Sequence, residues 1–111
     1  MAPMAASTTP RADRIPHPPA SAVDLATIMR ALGDPVRLDL VRMLADGREH
    51  NCGQLAGALG LPASTASYHM RLLRESGVTR TRAEGTHRVI SLRRHDLDER
   101  FPGLVEVLTS G

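Results

Sequence analysis

Lysine is missing from this 111-residue chain: all 14 basic side chains are arginine, set against 12 aspartates and glutamates. Every positive charge is therefore a planar fork of donors that matches phosphate and carboxylate, rather than a point charge. Tryptophan is absent too, and aromatics make up 2 % of the chain. Leu, Val, Ile, Met and Ala must then fill the core, which points to a helical one. The single cysteine, Cys52, excludes an internal disulfide and agrees with a reducing compartment. No apolar run approaches the roughly 20 residues that span a bilayer, and no basic-then-apolar segment opens the sequence, so a cytoplasmic protein without a membrane partner is expected. The length suits one domain, with a core too small to enclose a large substrate cavity. Nucleophile elbow, Gly-rich phosphate loop and H-E-x-x-H are all missing, so an enzyme is disfavoured.

The net charge is only +2, but its distribution is uneven. Residues 63–95 hold seven arginines (Arg71, Arg74, Arg80, Arg82, Arg88, Arg93 and Arg94) against Glu75 and Glu84, a local charge of +5. Such a patch attracts a phosphate backbone through charge and counterion release. The other end of the chain has a different character. Residues 1–20 carry five of the eight prolines among Ala, Ser and Thr, a composition that cannot offset its own ordering entropy, and they are expected to form a disordered tail. A solvated tail is favoured there over a metal or DNA contact by Arg11, Arg14 or His17. The folded domain is expected over 21–111.

Within that domain, Ser21 with Asp24 resembles a capping box, and Val23, Leu25, Ile28, Met29 and Leu32 follow at near-helical spacing. Gly33 ends this first helix. Asp34 caps a second with Pro35 at its first position, where a missing N–H costs nothing, and that helix is expected to stop at Gly47. Asn51 with Gln54 starts a third. The stretch 55–77, L-A-G-A-L-G-L-P-A-S-T-A-S-Y-H-M-R-L-L-R-E-S-G, then reads as a helix, a tight Gly60-Leu61-Pro62 corner and a second helix, a helix-turn-helix. Met70, Leu72 and Leu73 can pack inward, whereas Ala63, Ser64, Thr65, Ser67 and Tyr68 present small or polar groups suited to a DNA groove. Helix interiors disfavour clustered Ser and Thr, and contact with bases or phosphates supplies a reason for finding them here. His69 reads as a hydrogen-bonded structural histidine rather than a ligand, and Arg71 as a phosphate contact.

After Gly77 the period becomes extended: V-T-R-T-R, a turn at Ala83-Glu84-Gly85, then T-H-R-V-I-S-L. Two β-branched segments around a glycine form a hairpin. Following a helix-turn-helix and carrying Arg82 and Arg88, it reads as a wing laid along DNA. Phe101-Pro102-Gly103 introduces a short last helix with Leu104, Val105, Val107 and Leu108. The fold class is mainly α with a small β-hairpin, in the order α-α-α-α-β-β-α.

The strings A-L-G-D-P-V-R-L-D-L-V-R-M-L, L-A-G-A-L-G-L-P-A-S-T-A-S-Y-H-M-R-L-L-R-E-S-G-V and R-A-E-G-T-H-R-V-I-S-L, in that order over about 22–108, resemble the ArsR/SmtB family of bacterial winged-helix regulators. The resemblance implies a homodimer paired through the first and last helices, here Leu25, Ile28, Leu104 and Leu108. It also implies a pseudo-palindromic operator in double-stranded DNA and modulation by a metal or another signal. Some relatives carry a Cys-x-Cys pair at the start of the third helix; here Asn51 and Gly53 stand at those positions with Cys52 between them. Others hold zinc, nickel or cobalt between the last helices with Asp and His, then His and Glu. Here His95 and Asp96 are followed by Val107 and Ser110. His50, Cys52, His95 and Asp96 are thus weak candidate ligands for a divalent transition metal such as nickel or zinc. A regulatory partner protein, thiol oxidation at Cys52 and no effector at all remain open. A sequence-specific regulator, most simply a repressor, is expected; the alternative is a winged-helix protein-interaction adaptor, which would need an acidic or apolar recognition face.

Overall fold

The computed structural model describes residues 15–110. Helix α1 (Leu25–Leu32) starts where the Asp24 carboxylate accepts the Thr27 N–H at 3.0 Å, so the N-cap is Asp24 itself and not Ser21. A short 3₁₀ turn, Ala20–Ala22, precedes it. Val23 is not a helical residue but a plug, 4 % exposed. It lies where a Cβ on Gly77 would come within 2.5 Å of its Cγ2, so the glycine, at φ +87°, serves both the turn and the close approach. Helix α2 (Pro35–Met43) is capped by Asp34, which accepts from Val36 and Arg37, and it passes into a 3₁₀ turn (Leu44–Asp46) before Gly47. Helix α3 (Cys52–Ala58) begins at the Asn51 cap, and α4 (Ala63–Glu75) follows the Gly60-Leu61-Pro62 corner.

The hairpin turn is tighter than the sequence suggested. Strands β2 (Thr79–Glu84) and β3 (His87–Leu92) are joined by Gly85 and Thr86 alone, with Gly85 at φ +61°. A two-residue strand β1 (His50–Asn51) pairs with β3 and completes an antiparallel sheet in the order β1-β3-β2. The end of the chain holds two short helices where one was expected, α5 (Arg94–Arg100) and α6 (Leu104–Ser110). Helices and sheet enclose one core in which Ile28, Leu40, Leu44, Leu73, Ile90 and Leu97 are at most 1 % exposed.

The expectation of a tail running to residue 20 meets an ordered arm. His17 Nε2 accepts the Thr81 N–H at 2.9 Å, on the outer edge of β2, and Arg93 donates to the Pro18 carbonyl at 2.8 Å. Arg100 also donates to the Ala20 carbonyl. Proline-rich composition hid this, because the arm is held by backbone groups and one imidazole rather than by apolar burial. Residues 1–14, including Arg11 and Arg14, lie outside the described residues.

Candidate nucleic-acid interface

Helix α4 divides its sides cleanly. Ala66, His69, Met70 and Leu73, at i, i+3, i+4 and i+7, are buried, while Ser64, Ser67, Tyr68 and Arg71 are exposed. Pro62 supplies no side-chain cap, so the first-turn N–H groups are left to an outside acceptor. Ala63 is exposed and Thr65 half-buried at this end of the helix. The helix is fixed from behind. Arg37 of α2 donates through Nε to the Ala31 carbonyl at 2.5 Å and through Nη1 to His69 Nδ1 at 3.0 Å. Because arginine only donates, His69 accepts at Nδ1, the structural role expected of it. Its ring meets the Tyr68 ring edge-on at 5.4 Å. Asp34 anchors the same corner: burial pushes its carboxyl pKa up, but the N–H groups of Arg37 and Val36 outweigh this and hold it below the usual range.

The wing's register decides which arginines face α4. Directly opposed residues share a sheet face, so Arg88, opposite Ala83, lies on the side of Thr81 and Ile90. Arg88 joins Ser64, Ser67, Tyr68, Arg71 and Arg74 around an open concavity of about 440 Å³ that no carboxylate among the described residues lines. Arg71 also lies over the Tyr68 ring at 5.6 Å and within 3.4 Å of Glu75. Arg82, opposite Val89, sits on the other face. Its guanidinium is clamped by Glu49 at 2.7 Å through both Nε and Nη2 and by Glu84 at 3.0 Å, which raises its pKa further. The two wing arginines read alike in sequence, and the structure separates them: Arg88 enters the groove and Arg82 closes an ion-pair network. Arg74 lines the same groove.

The candidate metal ligands are dispersed. His50 Nε2 binds the Asp46 carboxylate at 2.9 Å, and Cys52 is half-buried beneath α4. Asp96 is held by Arg93 at 3.0 Å and Arg80 at 3.5 Å, which keep its pKa low, and the exposed His95 lies 3.5 Å from Glu99. Among the described residues no three His, Cys, Asp or Glu side chains stand close enough to share a metal ion. A carboxylate already neutralised by two guanidiniums is a poor ligand, so these residues do not fit a divalent metal. The apolar residues expected at a subunit seam also divide. Leu25, with Met29 and Val107 beside it in type, is exposed at 46, 43 and 70 % respectively. Leu104 and Leu108 are half-buried against the core, and Ile28, at 0 %, belongs wholly to the protomer's own core.

Known proteins place this geometry. A model described as a helix-turn-helix domain matches residues 32–82, from the end of α1 into β2. The chain is 38 % identical over 84 residues to the uncharacterized HTH-type transcriptional regulator YceK of Bacillus subtilis, covering 75 % of this chain and 84 % of that protein. A homodimeric winged helix-turn-helix DNA-binding domain from Mycobacterium bovis, a possible ArsR-family regulator, matches with a TM-score of 0.64 at 30 % identity over 78 % of each chain. The chain belongs to the ArsR/SmtB family of winged-helix transcriptional regulators. This regulator is also 39 % identical over 59 residues to the biofilm growth-associated repressor of Xylella fastidiosa, 53 % of this chain and 51 % of that one. No helix among its described residues is long and apolar enough to cross a membrane. What sequence reasoning missed in the regulator is the Arg37–His69 brace. The only signal for it was an arginine three residues after the Asp34 cap and a histidine on the buried face of α4.

Proposed function

We propose that this DNA-binding regulator acts as a homodimeric repressor in the cytoplasm, occupying an operator with the α4 helices of two subunits. One observation carries the reading: α4 and the wing share a concave face of hydroxyls and arginines with no carboxylate on it among the described residues. Ser64, Ser67 and Tyr68 are the groups placed to reach base edges, Ala63 and Thr65 flank them at the first turn, and Arg71, Arg74 and Arg88 are placed for phosphates. An adaptor would need an acidic or apolar α4 face. Repression is drawn from the kinship with the Xylella fastidiosa repressor, and dimerisation from the homodimeric Mycobacterium bovis domain together with the exposed Leu25, Met29 and Val107. The test is selection of bound duplexes from a random pool by the purified protein, followed by a reporter whose promoter contains the enriched sequence. A palindromic enriched site and lower reporter output in the presence of the protein are expected. Enrichment of no sequence, or a reporter that rises, would overturn this reading.

A further inference from the structure

Beneath the groove lies a smaller, deeper pocket of about 80 Å³. Ser67, Arg71 and Arg74 enter it from successive turns of α4, with Met70 between them. Cys52 enters from the first turn of α3, and Thr81 and Arg88 enter from the wing. Two polar atoms of these lining residues, Arg74 Nε and Thr81 Oγ1, are buried without a partner among the described residues. Thr81 is only 5 % exposed and its backbone N–H is given to His17, whereas its hydroxyl has no partner among the described residues. Buried donors without acceptors cost free energy and call for an explanation. Arg74 and Arg88 are paired with no carboxylate among the described residues, unlike Arg71, Arg82, Arg93 and Arg94.

The lining therefore offers guanidinium forks, two hydroxyls and a thiol, with no acid among the described residues, which is the donor set of an oxyanion site. Its size limits the ligand. A water molecule takes about 30 Å³ of liquid volume, so the pocket has room for a few waters or one tetrahedral oxyanion and excludes a nucleoside. We propose that this pocket binds a single oxyanion of the phosphate class, and that a free anion seated there competes with operator DNA. The competition follows from shared residues, because Ser67, Arg71, Arg74 and Arg88 line both the pocket and the DNA-facing groove. Burial pushes the Cys52 thiol pKa up, against the pull of Arg88, so Cys52 meets the anion as a neutral S–H and reports on occupancy without repelling it.

Inorganic phosphate titrated into the full chain at constant ionic strength, without DNA, tests the site through the rate at which neutral iodoacetamide alkylates Cys52. Saturable protection is expected. Thr81→Val and Arg74→Gln should each raise the phosphate concentration for half-protection about tenfold, the loss of one charged or buried hydrogen bond. Arg48→Gln, outside the pocket, should leave it unchanged, and thermal melts check that each variant folds. A second arm separates the sources of the anion. If phosphate fills the site, it should weaken duplex binding more in the wild type than in Thr81→Val. Protection by duplex alone, relieved by the same two variants, would keep the oxyanion site and overturn the free ligand, leaving a DNA phosphate as the occupant. Protection by neither, or equal protection in wild type and variants, would overturn the site. The first arm uses no DNA, so its failure is distinct from failure of the repressor reading.

Discussion

At Arg37 one side chain joins the scaffold to the recognition helix. Its guanidinium holds the last turn of α1 through the Ala31 carbonyl and the back of α4 through His69. Replacing it with alanine would leave a part-buried carbonyl and an imidazole nitrogen unpaired, so Arg37→Ala is expected to lower stability by about 2 kcal/mol in urea melts. Arg37→Lys should recover little, because an ammonium cannot serve both acceptors with a planar fork. A loss within experimental error would show that the brace contributes nothing. His17 offers a pH-dependent counterpart. Burial lowers its pKa below the ordinary 6.5, and Arg80, Arg74 and Arg93 push the same way. The imidazole must be unprotonated at Nε2 to accept from Thr81. A group whose folded pKa is depressed contributes its full stability above the unfolded value and loses it as pH falls through the folded value. Protection of the Thr81 amide from hydrogen exchange, corrected for intrinsic rate, should therefore fall in the wild type as the pH drops below the ordinary 6.5. In His17→Ala it should be low throughout, and constant protection in the wild type would remove the latch.

The elements legible in the sequence were those with chemical punctuation. Asp34-Pro35, Asn51 to Gln54, Gly60-Leu61-Pro62 and Gly77 each mark a boundary through a cap or a special backbone angle, and α2, α3 and α4 lie between them. Helix α5 carried no such mark. Its only core residue is Leu97, and its helical state rests on ion pairs at three- and four-residue spacing, Arg93 with Asp96 and Arg94 with Asp98. Strand β1, two residues long, is too short to show a period and exists only because β3 offers it a partner. The candidate interface was legible on α4, where polarity follows helical spacing, and not on the wing, where register decides. That register gives a measurable difference. Arg88→Ala should weaken binding to all duplexes and reduce the salt slope by about one. Arg82→Ala, which removes a guanidinium already neutralised by Glu49 and Glu84, should change the slope much less. Equal slopes would mean that Arg82 leaves its partners to meet DNA. On α4, Ser64→Ala with Ser67→Ala should reduce affinity for a selected site far more than for random duplex, since hydroxyl contacts to base edges carry sequence information. Equal loss on both would reassign the serines to phosphates.

For the whole molecule, the question is what covers the apolar side chains that the protomer leaves outside. Leu25 and Met29 on α1 and Val107 on α6 are exposed although their neighbours Ile28, Leu32 and Val105 are buried in the core. Two short helices packed on so small a core can bury one side each and no more, and a second copy of the chain is the simplest cover for the rest. Leu104 and Leu108 pack against the protomer core, and Ile28 lies within it, so a charge at any of these would unfold the subunit and say nothing about assembly. Leu25→Asp and Val107→Asp replace exposed side chains, and in an isolated protomer both should be tolerated. In a dimer they would bury unpaired carboxylates at the seam, at a cost of several kcal/mol, enough to dissociate a micromolar complex. Sedimentation should show a wild-type dimer at micromolar concentration and folded monomers for both variants, with operator affinity lost in parallel because the two α4 helices no longer act together. A monomeric wild type, or variants that remain dimeric, would place the seam elsewhere on the molecule.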